Sequence, residues 1–552
     1  SSNLSNNNKL DGYQTIPTNT EESIKEFNNQ YKLALDNDDI KWIKDLSDKL
    51  DRNLTKVELF DLAQSNSEHS RHWVFNSKLI LENDSNNDEI ELENTLFSLV
   101  KLPLKYKKNM EEKRGIPDNS LVAFSDNSSA IKGFNGINPT LTAETHNFPT
   151  GIAPFQGATT GVGGRIRDNL AIGTGGDITA SLAGYCVEDI GINSVNIENK
   201  CLQFLNDNYS KPLHSGRHIL TEASNGSSDY GNKVGEAIIG GFVRTFTGEV
   251  YGDNEEYKRI YSFRKPIMFT AGIGTVLDGK EFKKELINDN HDNHDNHDNN
   301  DTNYLVVCQV GGPAYPIGMG GGSSSSVGQD DGDYQNAVQR GDPEMATRVV
   351  NFLRNFKDSD IILSIHDQGA GGCGNVVKEI LEPVGGDIDI GNIPLGNKDM
   401  SFLEIWCSEY QEQMTFIINN KDWDFVERIG KKENVPVYKV GVVNNTGIAK
   451  VSNSNLDSEM SPINLPLKDI LSNVPQKTLR IKERNFPISS SLKYESYNES
   501  KSSDLYNNLI NILSTPTVGS KKFLTNKVDR SVSGLIVQQQ CVGPLQLPLS
   551  NY

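Results

Sequence analysis

The chain has 552 residues, enough for roughly two to four domains, and carries a formal net charge of −19. That charge argues against a nucleic-acid or anionic-membrane surface, so a phosphate-bearing ligand would depend on local positive charge or backbone N–H groups. Six widely spaced cysteines without a CxxC pair, no signal peptide and no apolar run long enough to span a bilayer point to a reducing, cytoplasmic setting.

Residues 1–19 are polar and read as a disordered tail. A helical stretch follows over about 21–75, in which Thr55-Lys-Val-Glu58 has the form of a capping box ahead of Val57, Phe60, Leu62 and Ala63 at helical spacing. From about residue 79, short β-rich runs such as Ser120–Phe124 and Leu141–Glu144 alternate with glycine-rich turns. Residues 288–301 (NDNHDNHDNHDNND) read as a solvated low-complexity insertion, with a His-rich metal tract as the sharper alternative. A second α/β region opens with a strand at Tyr304–Cys308. Asp342-Pro343-Glu344 then reads as an N-cap, a first-position proline and a first-turn acid. The spacing predicts a buried strand over Ile361–Ile365 and a helix over Asn375–Leu381. The ending, Leu-Pro-Leu-Ser-Asn-Tyr, carries no closing signal and reads as part of a longer chain.

Six motifs carry candidate chemistry. In Ser67–His72, His69 and His72 are three apart and share a face if the helix continues; read alone they fit a surface or core pair, or part of a zinc site. In Ala143–Pro149, an extended backbone sends Glu144 and His146 to one side, a carboxylate beside an imidazole suited to metal and proton chemistry. Gly157–Asp168 reads as a glycine loop that could turn N–H groups to a phosphate, ending in the guanidinium–carboxylate pair Arg167-Asp168; it is neither a Walker loop nor a Rossmann fingerprint. Gly318–Ser326 is a second anion cradle or a flexible linker. His366–Gly372 puts a carboxylate and glycines just past a buried strand, where α/β ligand sites form. Ser408–Glu412 offers amide and carboxylate groups.

The strings SNSEHSRHWVF, TAETHNFPTGIAPFQGATTGVGGRIRD, IGMGGGSSSS, VQRGDPEM, SIHDQGAGG and SEYQEQM follow one another in one order. In that order they resemble the synthetase part of the large formylglycinamide ribonucleotide amidotransferases, over nearly everything from residue 21 onward. The resemblance implies an α/β (α+β) fold: a helical linker domain at 20–78, an aminoimidazole-ribonucleotide-synthetase-like half made of an N-type domain at 79–287 and a C-type domain at 302–451, and at 452–552 a linker and the start of a second such half. It implies ATP-dependent conversion of formylglycinamide ribonucleotide to formylglycinamidine ribonucleotide through an iminophosphate. ATP is a substrate, Mg2+ the metal, and the ammonia comes from a glutaminase domain absent from this chain; neither nucleic acid nor membrane is a partner.

Residue by residue, the resemblance makes His69 and His146 catalytic, His146 as proton acceptor, and Glu144, Asp168 and Asp367 magnesium ligands. It gives nucleotide contacts to His72, to Gly157, Ala158, Thr159, Thr160, Gly161, Val162, Gly163, Gly164, Arg165, Ile166, Arg167 and Asp168, and to Thr270, Ala271 and Gly272. It puts Thr145, Asn147, Phe148, Arg167, Gln339, Glu409 and Gln411 on the substrate side. The chain departs from the family pattern at Thr142, where the small-subunit form has lysine, at Ser70, where cysteine is usual, at Phe148, where bacterial members often have histidine, and at His72, where the small-subunit form has tyrosine. Against the enzyme reading stands one in which the chain is a nucleotide-binding structural half without turnover of its own.

Overall fold

The structure is a computed structural model that describes residues 9–66, 72–83, 89–191, 196–209, 211–250, 259–286, 304–321, 335–456, 460–483, 502–525, 532, 539, 541–545 and 547–548. Three helices open it: α1 (Glu21–Tyr31), α2 (Asn37–Lys49) and α3 (Lys56–Ser65). The expected helical stretch is a set of short helices, two of them started by their own caps. Asp36 with Asp39, and Thr55 with Glu58, form reciprocal capping boxes that start new helices.

The expected disordered tail is ordered from residue 9. Val57 N donates to Gly12 O at 3.1 Å, Leu403 N to Asp11 O at 3.0 Å and Leu54 N to the fully buried Thr18 hydroxyl at 2.9 Å. Composition missed this because the segment is held by backbone groups, which a polar side-chain count does not register.

Next come β1 (Lys78–Asn83), β2 (Glu89–Glu91) and α4 (Leu96–Arg114). The first α/β domain is built on β3 (Ser120–Val122), β4 (Ser129–Ile131), β5 (Ile137–Thr145), β6 (Asp177–Val187), β7 (Ala237–Thr245), the small hairpin β8 (Thr247–Val250) and β9 (Arg259–Ser262), and β10 (Ile267–Leu277). Its six-stranded sheet runs β3-β4-β5-β10-β6-β7, antiparallel except for β6 with β7. Helices α5 (Pro154–Leu170) and α6 (Gly216–Val234) cover it.

The second domain is a seven-stranded sheet of β11 (Leu305–Gly311), β12 (Ser364–Asp367), β13 (Gly386–Asp389), β14 (Gln413–Asn419), β15 (Val437–Val443), β16 (Ile448–Ser452) and β17 (Ile463–Pro466), ordered β12-β14-β11-β15-β13-β16-β17. It carries α7 (Pro343–Arg354), capped by Asp342 as its Asp-Pro start predicts, and α8 (Gly372–Leu381).

Strand pairing crosses two of the expected boundaries. The strand β17 extends the second domain past 451, because Ile448–Val451 pair with Ile463–Pro466. The strand β1 leaves the first domain's sheet and pairs in parallel with β18 (Thr478–Glu483), Leu79 opposite Leu479. The insertion 288–301 and most of 452–552 beyond β18 lie outside the described residues.

Strand β11 shows why the domains hold together. It is buried along its whole length, and its side chains alternate between two cores. Leu305 and Val307 join α1–α3 in one; Val306, Cys308 and Val310 join α5, α6 and α7 in the other. The second core is shared by both α/β domains, which fixes the cleft between them. The linker helices are tied down by a buried ion pair, Lys378 Nζ to Asp61 Oδ1 at 2.6 Å, with Ser65 Oγ at 2.9 Å.

Candidate active site between the two domains

A cavity of about 290 Å3 opens at that cleft. The first domain supplies Asn127, Glu144, His146, Thr160, Gly164, Arg167 and Asp168; the second supplies Gln339, Asp367, Gly369, Ala370, Asn375, Glu379 and Gln411; His72 stands beside them. Motifs some 220 residues apart thus share one wall. A second cavity of about 250 Å3, between β7, α6 and residues 521–525, is lined by no acid and no histidine.

Glu144 lies one residue from the end of β5, on the side that faces α5, and His146 N continues the pairing by donating to Met268 O at 2.9 Å. The imidazole rests on α5. A Cβ on Gly161 would come within 2.8 Å of His146 Cβ, so only glycine lets the ring lie there. His146 Nδ1 is 2.5 Å from Gly157 O and 3.2 Å from Thr160 Oγ1. A carbonyl accepts only, so Nδ1 carries the proton and Nε2 is the basic nitrogen.

The three acids differ in environment. Burial first, and then the charge of Asp367, pushes the Glu144 carboxyl up to about 7. Asp168 is pushed well above the usual carboxylate range by burial, then by Asp367 and Glu144. Asn127 Nδ2 donates to Asp367 Oδ1 at 2.8 Å and approaches Asp168 Oδ1 at 3.4 Å. Arg167 Nε lies 3.9 Å from Asp367 Oδ2. Its Nη2 donates to Gln411 Oε1, whereas Nε and Nη1 are buried with no hydrogen-bond partner among the described residues. Unsatisfied buried guanidinium N–H groups beside a cavity fit an anionic ligand.

Among the described residues, no three His, Cys, Asp or Glu side chains are placed to enclose a metal ion. The donor set instead fits a hard cation held by one or two carboxylates together with ligand phosphates, the usual mode for magnesium.

Other expected contacts are placed elsewhere. The stretch 157–168 is no loop. It forms most of α5, where backbone N–H groups such as that of Gly157, donating to Ala153 O at 2.7 Å, are spent within the helix. Its glycines serve packing: a Cβ on Gly157 would strike the Pro149–Thr150 backbone, and one on Gly163 would lie 2.9 Å from the Tyr230 ring. Of this stretch only Thr160, Gly164, Arg167 and Asp168 line the cavity. Gly157, Ala158, Thr159, Gly161, Val162, Gly163, Arg165 and Ile166 do not line it.

Arg165 is fully buried and donates to Glu236 Oε1 at 2.6 Å. Thr270, Ala271 and Gly272 back that arginine rather than the cavity; Arg165 Nε lies 3.4 Å from Thr270 Oγ1, and a Cβ on Gly272 would collide with the guanidinium. Asn147 Oδ1 accepts from Met268 N at 3.1 Å, Phe148 packs on Ile152 and Val338, and Thr145 is exposed at the strand end. Glu409 stands behind the wall, accepting from Gly371 N at 2.9 Å and from Gln339 Nε2 at 2.5 Å. His69 and the stretch Gly322–Ser326 lie outside the described residues. Asn127, Asn375 and Glu379 were not foreseen; they sit on a loop and on α8, away from the quoted motifs.

The chain is similar to known proteins. The family model for the formylglycinamide ribonucleotide amidotransferase linker domain matches residues 24–72, that for the AIR synthase related protein C-terminal domain matches 305–452, and that for the FGAR-AT PurM_N-like domain matches 520–552. The phosphoribosylformylglycinamidine synthase of Dictyostelium discoideum is 41% identical over 96% of this chain and 38% of its own length. A probable phosphoribosylformylglycinamidine synthase of Arabidopsis thaliana, described as chloroplastic/mitochondrial, is 38% identical over 98% of this chain and 38% of its own length. The chain therefore spans about two-fifths of the curated relatives it matches. Two solved structures share the fold: Thermotoga maritima PurL complexed with FGAR (TM-score 0.51, 19% identity, 81% of this chain and 57% of that one) and complexed with ADP (TM-score 0.52, 17% identity, 84% and 60%). By its relatives and its matched domains, the chain is similar over nearly its whole length to part of the formylglycinamide ribonucleotide amidotransferases.

Proposed function

We propose that the cleft is the synthetase site at which ATP converts formylglycinamide ribonucleotide to formylglycinamidine ribonucleotide, with glutamine-derived ammonia delivered from a glutaminase. The observation that carries the reading is the meeting, in one cavity, of His146, Arg167 and the acids Glu144, Asp168 and Asp367 from two domains. Relatives that cover nearly all of the chain bear the synthase name, and PurL proteins of the same fold have been solved with FGAR and with ADP.

The chemistry follows from what each group can do. An amide oxygen leaves poorly until it is phosphorylated, so the γ-phosphoryl group of ATP moves to the amide oxygen while the amide N–H gives up its proton, giving an iminophosphate and ADP. Ammonia then attacks the imidate carbon, phosphate departs and a proton is lost. His146, with Nδ1 committed to Gly157 O, presents Nε2 as the acceptor of that proton. The unsatisfied N–H groups of Arg167 bind and orient an anionic substrate group, and Gln411 fixes the guanidinium. Of Glu144, Asp168 and Asp367, one or two would hold Mg2+ together with the nucleotide phosphates. The ion supplies charge screening between phosphates, which phosphoryl transfer needs more than covalent help. Six free cysteines, five of them buried, fit the reducing conditions of a cytoplasmic enzyme. Among the described residues, no helix is long and apolar enough to cross a membrane.

The test is phosphate release from ATP with formylglycinamide ribonucleotide and ammonium salt. The chain should release phosphate only when both are present, and His146→Ala should lower the rate by about 10²-fold or more while the fold survives. ATP binding without substrate-dependent release would leave only the nucleotide-binding half. Unchanged turnover in the variant would remove His146 from the chemistry.

A further inference from the structure

The two acids that face each other across the cleft are joined by a residue that no motif contains. Asn127 lies on the loop between β3 and β4, and its side-chain amide donates to Asp367 Oδ1 at 2.8 Å and lies 3.4 Å from Asp168 Oδ1. One amide thus touches a carboxylate from each domain.

The loop that carries it is anchored on both sides. Asn127 O accepts from Thr142 Oγ1 at 3.2 Å, on the strand that bears Glu144. The neighbouring Asp126 accepts from Gly173 N at 2.9 Å and pairs with Lys283 Nζ at 3.1 Å, and Lys283 donates to His366 Nε2 at 2.5 Å, beside Asp367. Arg167 faces the other oxygen of Asp367, 3.9 Å away.

Two buried carboxylates in one cavity repel, and something must hold them at a working separation. A lysine there would do so by neutralising them, and would then compete with any cation. An amide N–H satisfies the oxygens and adds no charge. We propose that Asn127 is a positioning residue: it holds Asp168 and Asp367 at one spacing while leaving their charge for a divalent cation. This rests on the reading that these acids serve a metal-bound nucleotide.

The experiment titrates the chain with Mn2+, following the free-ion electron paramagnetic resonance signal, and records Tm for the parent, Asn127→Ala, Asn127→Ser and Asn127→Lys. The alanine and serine variants should bind Mn2+ about 10- to 100-fold more weakly, the range typical of groups that orient metal ligands. Their Tm should stay within about 4 °C of the parent, the shift that ~1 kcal/mol would cause in domains of this size. The lysine variant should lose Mn2+ binding with Tm unchanged or raised. Parental Mn2+ affinity in the alanine and serine variants overturns the proposal alone. A joint fall of Tm and affinity in the alanine variant, both restored by lysine, also overturns it, since that pattern is plain structural bridging. A parent chain that binds no Mn2+ overturns the underlying reading and the proposal with it.

Discussion

At the scale of single residues, the cleft shows how environment assigns chemistry. His146 is one of nine histidines in the chain, and what marks it is the Gly157 carbonyl that fixes its tautomer. Glu412 shows the same rule applied to stability. It is almost fully buried, accepts from the Tyr230 hydroxyl at 2.7 Å and lies 3.7 Å from Arg167 Nη1. Burial pushes its carboxyl up from 4.5 to about 7. A carboxyl raised in the folded state favours folding while it is protonated. That contribution is complete below about 4.5 and is lost as pH rises through about 7, in total on the order of 3 kcal/mol. Glu412→Gln keeps an acceptor for Tyr230 and cannot ionise, so its Tm relative to the parent should climb between pH 5 and pH 8. A pH-independent difference would show that Glu412 ionises in the fold as it does in the open chain.

Much of the site was legible at this scale. The alternation of β5 puts Glu144 and His146 toward the cleft, as their spacing in Ala143–Pro149 requires, and the HDQGAGG string delivers Asp367 to the same wall. Asn127, Asn375 and Glu379 were not legible, because an isolated Asn or Glu carries no pattern until the chain folds.

At the scale of elements, α5 is the instructive case. Glycine is a poor helix former, so a segment with Gly157, Gly161, Gly163 and Gly164 reads as a loop. Packing overrode propensity: α5 lies between the sheet and α6, and at three of the four positions a Cβ would meet the Pro149–Thr150 backbone, His146 or Tyr230. Gly157→Ala should therefore destabilise by about 1–3 kcal/mol, since backbone cannot move aside cheaply. Gly164→Ala meets nothing nearer than Arg167 Nη2 at 3.8 Å and should be neutral or stabilising by up to about 1 kcal/mol through helix propensity. Chemical denaturation of both variants checks this. Equal effects at the two positions would refute the packing account.

The capped helix starts at Asp36, Thr55 and Asp342 behave in the opposite way. There the local signal and the fold agree, and the Thr55 and Asp342 starts were readable from the sequence. Strand β1 pairs with β18, which is distant along the chain, and periodicity does not encode that pairing; β17 pairs with its near neighbour β16 across a short connection.

At the scale of the whole molecule, the linker helices and the second domain share one core, and Lys378 with Asp61 is the ion pair buried inside it. Asp61→Ala should cost about 3–5 kcal/mol, because it leaves Lys378 charged and buried without its carboxylate. A further Lys378→Met change should recover most of that loss. Thermal unfolding of the single and double variants measures both steps, and an additive double variant would deny the coupling.

The cleft has the same two-sided character, since Asp168 stands on α5 of the first domain and Asp367 on β12 of the second. The most direct measurement is calorimetric binding of ADP with and without Mg2+ by the parent, Asp168→Asn, Asp367→Asn and the double variant. Acids serving one metal-bound nucleotide predict that each single change lowers Mg2+-dependent affinity roughly tenfold or more, and that the pair costs less than the sum. Full parental affinity in either single variant, or strictly additive losses, would contradict a single site shared by the two domains.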